Sequence, residues 1–293
     1  MTTNPLPEIF AEKYSKDHLI QDDEYYYFYK HISIDADNLV FGIFNNTQLK
    51  YNYADNFNDP YDSLFKLDLI NLDNLTKDDF ESIIEKPVNN AEWKAGKKII
   101  IKKFKEIYKP ILKKEINTLR KKIPITCFNS NPLNILMWSH YADHHKGLML
   151  EFKIPKDFSE SLIPIPVSYS NTFPVIQMSL AELKKFTESN TNDINFDVLE
   201  KALLRKSDCW FYENEYRAFG SEDDSLLIKY NPSTLSSVIT GTKFGSTNKL
   251  KLLKETISLF NKTNKTKVKI YDAKLMDDRY ELYVDQHPRL NKK

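Results

Sequence analysis

Glu213 and Glu215, two residues apart in Trp210-Phe211-Tyr212-Glu213-Asn214-Glu215-Tyr216-Arg217, are the strongest candidates for chemistry in this chain. In a strand both carboxylates point to one face, with Asn214 and Tyr216 on the other. Like charges so placed repel, which pushes one carboxyl pKa up. Arg217 continues their face as a neutralising partner, and Lys206 lies just upstream. The bland alternative is a Glu–Arg network on a sheet surface, which contributes little.

A second cluster runs Met137-Trp138-Ser139-His140-Tyr141-Ala142-Asp143-His144-His145-Lys146-Gly147. On a helix His140 and His144 would share a face at a spacing that can bind zinc. No HExxH is present and no third ligand is specified nearby, so no metal is expected. Histidine changes charge near neutral pH, which suits His140 to proton transfer or to hydrogen bonding with a ligand. The plain reading is a short helix that buries Trp138 and Tyr141 and stops at Gly147. A third segment, Phe57-Asn58-Asp59-Pro60-Tyr61-Asp62, has the composition of an Asx turn, with Pro60 disfavouring helix at Asp59. Such a turn either just leaves a strand or aims Asn58 and Asp59 at a pocket rim. The candidate catalytic set is therefore Glu215, Glu213, His140 and Tyr141, with Asn58, Asp59, Trp138 and Arg217 as ligand contacts.

The elements that must position these groups are legible as alternating strands and helices. Tyr25–Tyr29 with Lys30 and His31 is dense in β-favouring aromatics, and Leu49–Tyr53 follows as a second strand. Thr76 and Asp79 form a capping box that opens a helical region running, with interruptions, to Lys122. Pro110 is expected to kink or break it. Ile123–Phe128 is a short apolar strand. Leu148, Leu150 and Phe152 alternate with Met149, Glu151 and Lys153, the pattern of a half-buried strand. Pro164 and Pro166 place the Ile163–Tyr169 segment at a sheet edge. Ser179 and Glu182 make a second capping box, and Phe196–Lys206 reads as helix. Strands at Glu215–Phe219, Leu226–Tyr230 and Ser236–Thr240 precede a helix built on Leu250, Leu253, Ile257 and Phe260. Val268–Tyr271 and Tyr280–Val284 close the chain. The absence of a regular βαβ rhythm favours α+β. The expected architecture is one domain over 1–293, with a mixed or split, antiparallel-rich sheet flanked by helices and a basic helical insertion at about 66–122.

Within that insertion, Lys94–Lys122 holds twelve Lys or Arg residues against only Glu106 and Glu115. Such a helix could follow a phosphate backbone. The charges surround apolar positions, however, so a solvated helix face is the simpler reading.

Composition narrows the classes. Of 293 residues, 41% are hydrophobic and 13% aromatic, enough for a substantial core. Lys and Arg total 42 against 41 Asp and Glu, which argues against a protein built wholly to bind polyanions. Apolar runs such as Leu39–Phe44 fall far short of the ~20 residues of a membrane helix, so no membrane partner is expected. MTTNPLPEIF has neither a basic nor an apolar leader region, and Cys127 and Cys209 form no disulfide or zinc pattern. Both point to the cytoplasm and away from a secreted toxin. Six glycines leave little material for a Gly-rich phosphate loop.

The order FNDPYD, then CFNSN and LMWSHYADHHKGLMLEF, then CWFYENEYR resembles an uncharacterised bacterial domain-of-unknown-function family, number twenty-nine seventy-one, from about Tyr25 to Val284. A fainter likeness is to ADP-ribosyltransferases, on an early aromatic strand ending in His31, a mid-chain Tyr141 and a late Glu-x-Glu. That likeness implies a split sheet gripping NAD as substrate. Glu215 or Glu213 would be the catalytic carboxylate, Tyr141 or Tyr53 the ring stacked on nicotinamide, and His31 a ribose contact. It also implies a transferase or NAD glycohydrolase acting in toxin or antiphage defence. The competing expectation is a non-catalytic module that binds nucleic acid or protein through Lys94–Lys122.

Overall fold

A computed structural model describes residues 19–34, 42–84, 86–183, 196–221, 225–245 and 247–291. The chain forms two compact units, one from residues 1–52, 124–167 and 209–293, the other from 53–123 and 168–208.

The first unit is built on a large mixed sheet. Its strands are β1 (Tyr25–Ile32), β2 (Pro124–Asn129), β3 (Leu148–Pro155), β4 (Ile165–Pro166), β5 (Glu215–Phe219), β6 (Leu235–Thr240), β7 (Lys269–Leu275) and β8 (Leu282–Val284). They lie in the order β8-β7-β6-β3-β1-β2-β5-β4. All neighbours run antiparallel except β6 and β7, which the helix Thr247–Asn264 connects as a parallel crossover requires. This is the α+β class read from the sequence. The edge position of the proline-flanked segment also holds, since β4 ends the order and pairs only with β5.

One expectation for β3 does not hold. It is not half-buried but buried on both faces from Leu148 to Phe152, because Trp138 and Leu290 pack on the Met149 side and Tyr230 packs against Phe152 on the other. The nominally outward Glu151 is therefore fully enclosed. Register places Glu215, Asn129, Tyr29, Glu151 and Ser237 directly opposite one another on β5, β2, β1, β3 and β6. Directly opposed residues share a face, so five buried polar side chains cross the sheet in one row. The opposite face carries apolar residues, including Phe28, Leu148, Leu150, Phe152 and Val238, all without exposed surface. On the side of the polar row, Trp138, Met149, Ile239 and Leu290 pack around Tyr27 and Tyr29.

In the second unit, both capping boxes form. Thr76 Oγ accepts from the Asp79 N–H at 3.1 Å, opening the helix Lys77–Ile84, and Ser179 Oγ donates to Glu182 Oε2 at 2.7 Å. The basic segment is one helix, Asn90–Lys122, capped by Asn89 and unbroken at Pro110. Interior proline costs about 3 kcal/mol. Pro110 is exposed, and Ile101, Phe104, Leu112, Ile116 and Leu119 are buried on either side of it, at roughly 1.5–3 kcal/mol each. Burial wins. The helix expected over Phe196–Lys206 stops at Leu203, because Arg205 and Lys206 pair in parallel with Ser168 and Tyr169.

Candidate functional site

The second and third motifs meet in the first unit. Asn134 caps the helix Ile135–Tyr141 by accepting from the Leu136 N–H at 2.8 Å, and its amide donates to the Tyr212 carbonyl at 2.9 Å. That one side chain fixes the helix to the 3-10 turn Asp208–Glu213. Trp138, fully buried, anchors the inner face through an indole N–H donated to the Pro132 carbonyl at 2.9 Å. One turn on, half-buried Tyr141 donates its hydroxyl to Glu213 Oε1 at 2.5 Å. These residues are 72 apart in sequence. The exposed ring of His140 lies 6.3 Å from the Tyr141 and Tyr212 rings, and Tyr212 lies 6.0 Å from Trp210. A buried carboxylate held by a phenol and rimmed by aromatic rings can stabilise a cation on a flat ligand.

Glu213 and Glu215 do not share a strand face as expected. Glu213 ends the 3-10 turn, Asn214 adopts φ 44°, and Glu215 begins β5. The left-handed residue separates the two carboxylates and gives each its own partner. Glu215 pairs with the fully buried Arg217 through Nε at 2.7 Å and Nη2 at 3.3 Å, a two-pronged bond that neutralises both charges.

His140 and His144 do not share a helical face either. The helix ends at Tyr141, and Asp143, His144 and His145 take positive φ values of 46°, 53° and 69°. Each costs roughly 1–2 kcal/mol for an L-residue. The turn persists because its backbone is bonded throughout: His145 N–H to the Trp138 carbonyl at 3.1 Å, and Gly147 N–H to Ala142 at 2.7 Å. A Cβ on Gly147 would sit 2.2 Å from the Ile32 carbonyl, and one on Gly241 would sit 2.1 Å from that of His145. Among the described residues no group of three His, Cys, Asp or Glu comes together as a metal site.

His31 is buried at the end of β1, its ring edge-on to Trp138 at 4.9 Å and its Nδ1 3.0 Å from the Asn129 amide. Burial pulls its pKa down to about 3 against the Pro132 carbonyl, which raises it, and nearby His145 adds a smaller downward effect. It is a neutral hydrogen-bonding group at physiological pH. The remaining candidates belong to the second unit. Asp59 forms the expected Asx turn, accepting from the Tyr61 N–H at 2.9 Å, with Asn58 exposed beside it and Tyr53 leading into a 3-10 turn. Asp62 of the same motif is buried 3.9 Å from Lys206, with Ser63 Oγ donating to it at 2.7 Å. That pair links the first motif to the lysine upstream of the third.

Sequence reasoning passed over Glu151 and its C-terminal partners. Arg289 grips this carboxylate through Nε at 2.9 Å and Nη2 at 2.5 Å, Tyr29 donates to it at 3.1 Å and Ser237 at 2.9 Å. The guanidinium stacks 3.8 Å from the Tyr27 ring centre. Burial alone would raise the Glu151 pKa, but bonds from His287 and Arg289 outweigh it and hold the group at about 2. The available signal was a lone glutamate inside the apolar run Leu148–Phe152, since an enclosed charge must be paired. Ser237, His287 and Glu151 resemble a nucleophilic triad in residue type only. His287 Nδ1 accepts the N–H groups of Arg289 at 3.3 Å and Leu290 at 3.2 Å, so the ring proton sits on Nε2, 3.1 Å from Ser237 Oγ. Histidine donates to the serine, and the serine donates to glutamate. That polarity cannot deprotonate Ser237.

No curated protein and no solved structure matches the chain. Residues 137–218 match the model of a family described as "Protein of unknown function (DUF2971)". That stretch contains both the Met137–Gly147 turn and the Trp210–Arg217 motif, so the match falls on the segment that joins Tyr141 to Glu213.

Proposed function

We propose that the first unit is the catalytic unit of an NAD-consuming enzyme, an ADP-ribosyltransferase-like protein or an NAD glycohydrolase, of use in toxin or antiphage defence. The observation that carries this reading is the 2.5 Å bond between Tyr141 and Glu213. It puts a carboxylate, a phenol and a rim of aromatic rings in one place. Cleavage of the nicotinamide–ribose bond sends its electron pair to nicotinamide and leaves positive charge on the sugar. Glu213 stabilises that charge more than it stabilises the ground state, with Tyr141 holding the carboxylate in position. A new bond then forms from C1′ to water or to a macromolecular nucleophile, whose proton passes to His140 or to solvent. Glu213 suits this role better than Glu215, whose two oxygens are taken by Arg217. The test is release of labelled nicotinamide from NAD by the purified chain, with and without cell extract. Release supports the reading, and its absence in both conditions removes it.

A second reading has its own observation. On the helix Asn90–Lys122, Ile99, Ile107 and Ile111 are 62%, 58% and 50% exposed among the lysines, at steps of eight and four residues. This is a surface for a nucleic-acid or protein partner. Binding through it would weaken with salt and vanish when several of those lysines become glutamate.

A further inference from the structure

The first unit contains a cavity of about 430 Å³ whose lining no candidate role has used. Its polar lining comprises the carboxamides of Asn131, Asn214 and Asn291, Ser130 and Arg289. The rest is aliphatic, Leu133 and Leu290 included. The volume lies within the roughly 300–1,000 Å³ range of small-molecule sites. Asn131 and Asn291 are exposed and Asn214 is half-buried, and their carboxamides bond to no described residue, which leaves their donors and acceptors open to a ligand. Ser130 Oγ, buried beside the Tyr216 hydroxyl, also lacks a partner in good geometry. Among the described residues Arg289 is the only charged one in the lining, and its charge is matched by Glu151. With Nε and Nη2 held by Glu151 and Ser236, the guanidinium is fixed, leaving Nη1 as a donor.

The described lining residues offer no net positive charge, which selects against a free anion. It favours a neutral, flat molecule whose faces meet aliphatic side chains and whose edge carries both donors and acceptors. A nucleobase has that form, and asparagine pairs in two-pronged fashion with the N6 and N7 edge of adenine. We infer that this cavity is a binding site for a purine nucleoside, read by the asparagine carboxamides and the fixed Arg289 donor.

The inference does not depend on NAD cleavage. Its test is calorimetric titration of the full chain with adenosine, with inorganic phosphate and ribose as comparators. Adenosine should bind while phosphate and ribose do not. Asn131→Ala and Asn214→Gly, the latter keeping the left-handed backbone, should each weaken binding at least about tenfold. No adenosine binding at millimolar concentration would overturn the inference, as would phosphate binding equally well or affinity unmoved by both substitutions. Adenosine binding without nicotinamide release would keep the cavity and discard the NAD reading. Nicotinamide release without adenosine binding would do the reverse.

Discussion

Replacing Glu151 by glutamine should change both how stable the first unit is and how that stability depends on pH. The carboxyl titrates at about 2 in the folded chain against an ordinary 4.5. A lowered folded-state value means that the unfolded chain takes up the proton first as pH falls. The stabilisation is therefore complete above about 4.5 and is lost progressively towards about 2. The gap of some 2.5 units corresponds to roughly 3 kcal/mol. Glu151→Gln removes this component and leaves Arg289 against a neutral amide, at a cost of about 3–5 kcal/mol at pH 7. Urea unfolding followed by tryptophan fluorescence at pH 7, 5, 4 and 3 would measure both effects. Other carboxylates titrate in both proteins, so the difference between the two isolates Glu151. The wild type should lose more than half of this advantage as pH drops from 5 to 3. A constant difference across that range, or a loss below about 1 kcal/mol at pH 7, would refute the argument.

Three further outcomes are expected. The His31 imidazole, held near 3 by burial, should show no titration in its NMR resonances above pH 4, and its stabilising effect should be full above about 6.5 and fade as pH falls towards 3; a midpoint near 6.5 would contradict its enclosure. Gly147→Ala should lower stability by more than about 3 kcal/mol, since its new Cβ would collide with the Ile32 carbonyl rather than a movable side chain; a normal denaturant midpoint would show that the turn can relax. Exposed Cys209 should react with a thiol reagent in the native chain much faster than partly exposed Cys127, whose thiol pKa burial and Glu215 push up; equal rates would contradict the difference in environment.

Much of the fold was legible because its signals are local. The aromatic run of β1, the capping boxes at Thr76 and Ser179 and the prolines beside β4 depend only on near neighbours. Errors arose where distant chain decides. Glu151 looked outward by alternation, because nothing local shows that Trp138, Leu290 and Arg289 cover its face of β3. Lys206 read as helical because its pairing with Ser168–Tyr169 and its charge partner Asp62 are remote in sequence. At the candidate site the residue types were found but not their geometry. The two-residue spacing of Glu213 and Glu215 implied one face until the left-handed Asn214 turned them apart, and the helical spacing of His140 and His144 failed at Tyr141 for the same backbone reason.

The most direct measurement is the turnover of NAD to nicotinamide by wild-type protein and by Glu213→Gln, with folding of both verified by circular dichroism. The account predicts measurable turnover in the wild type and a fall in kcat of about 100-fold or more in the variant, the usual size of losing one group aimed at transition-state charge. An inactive wild type, or a folded Glu213→Gln protein that retains full turnover, would contradict it.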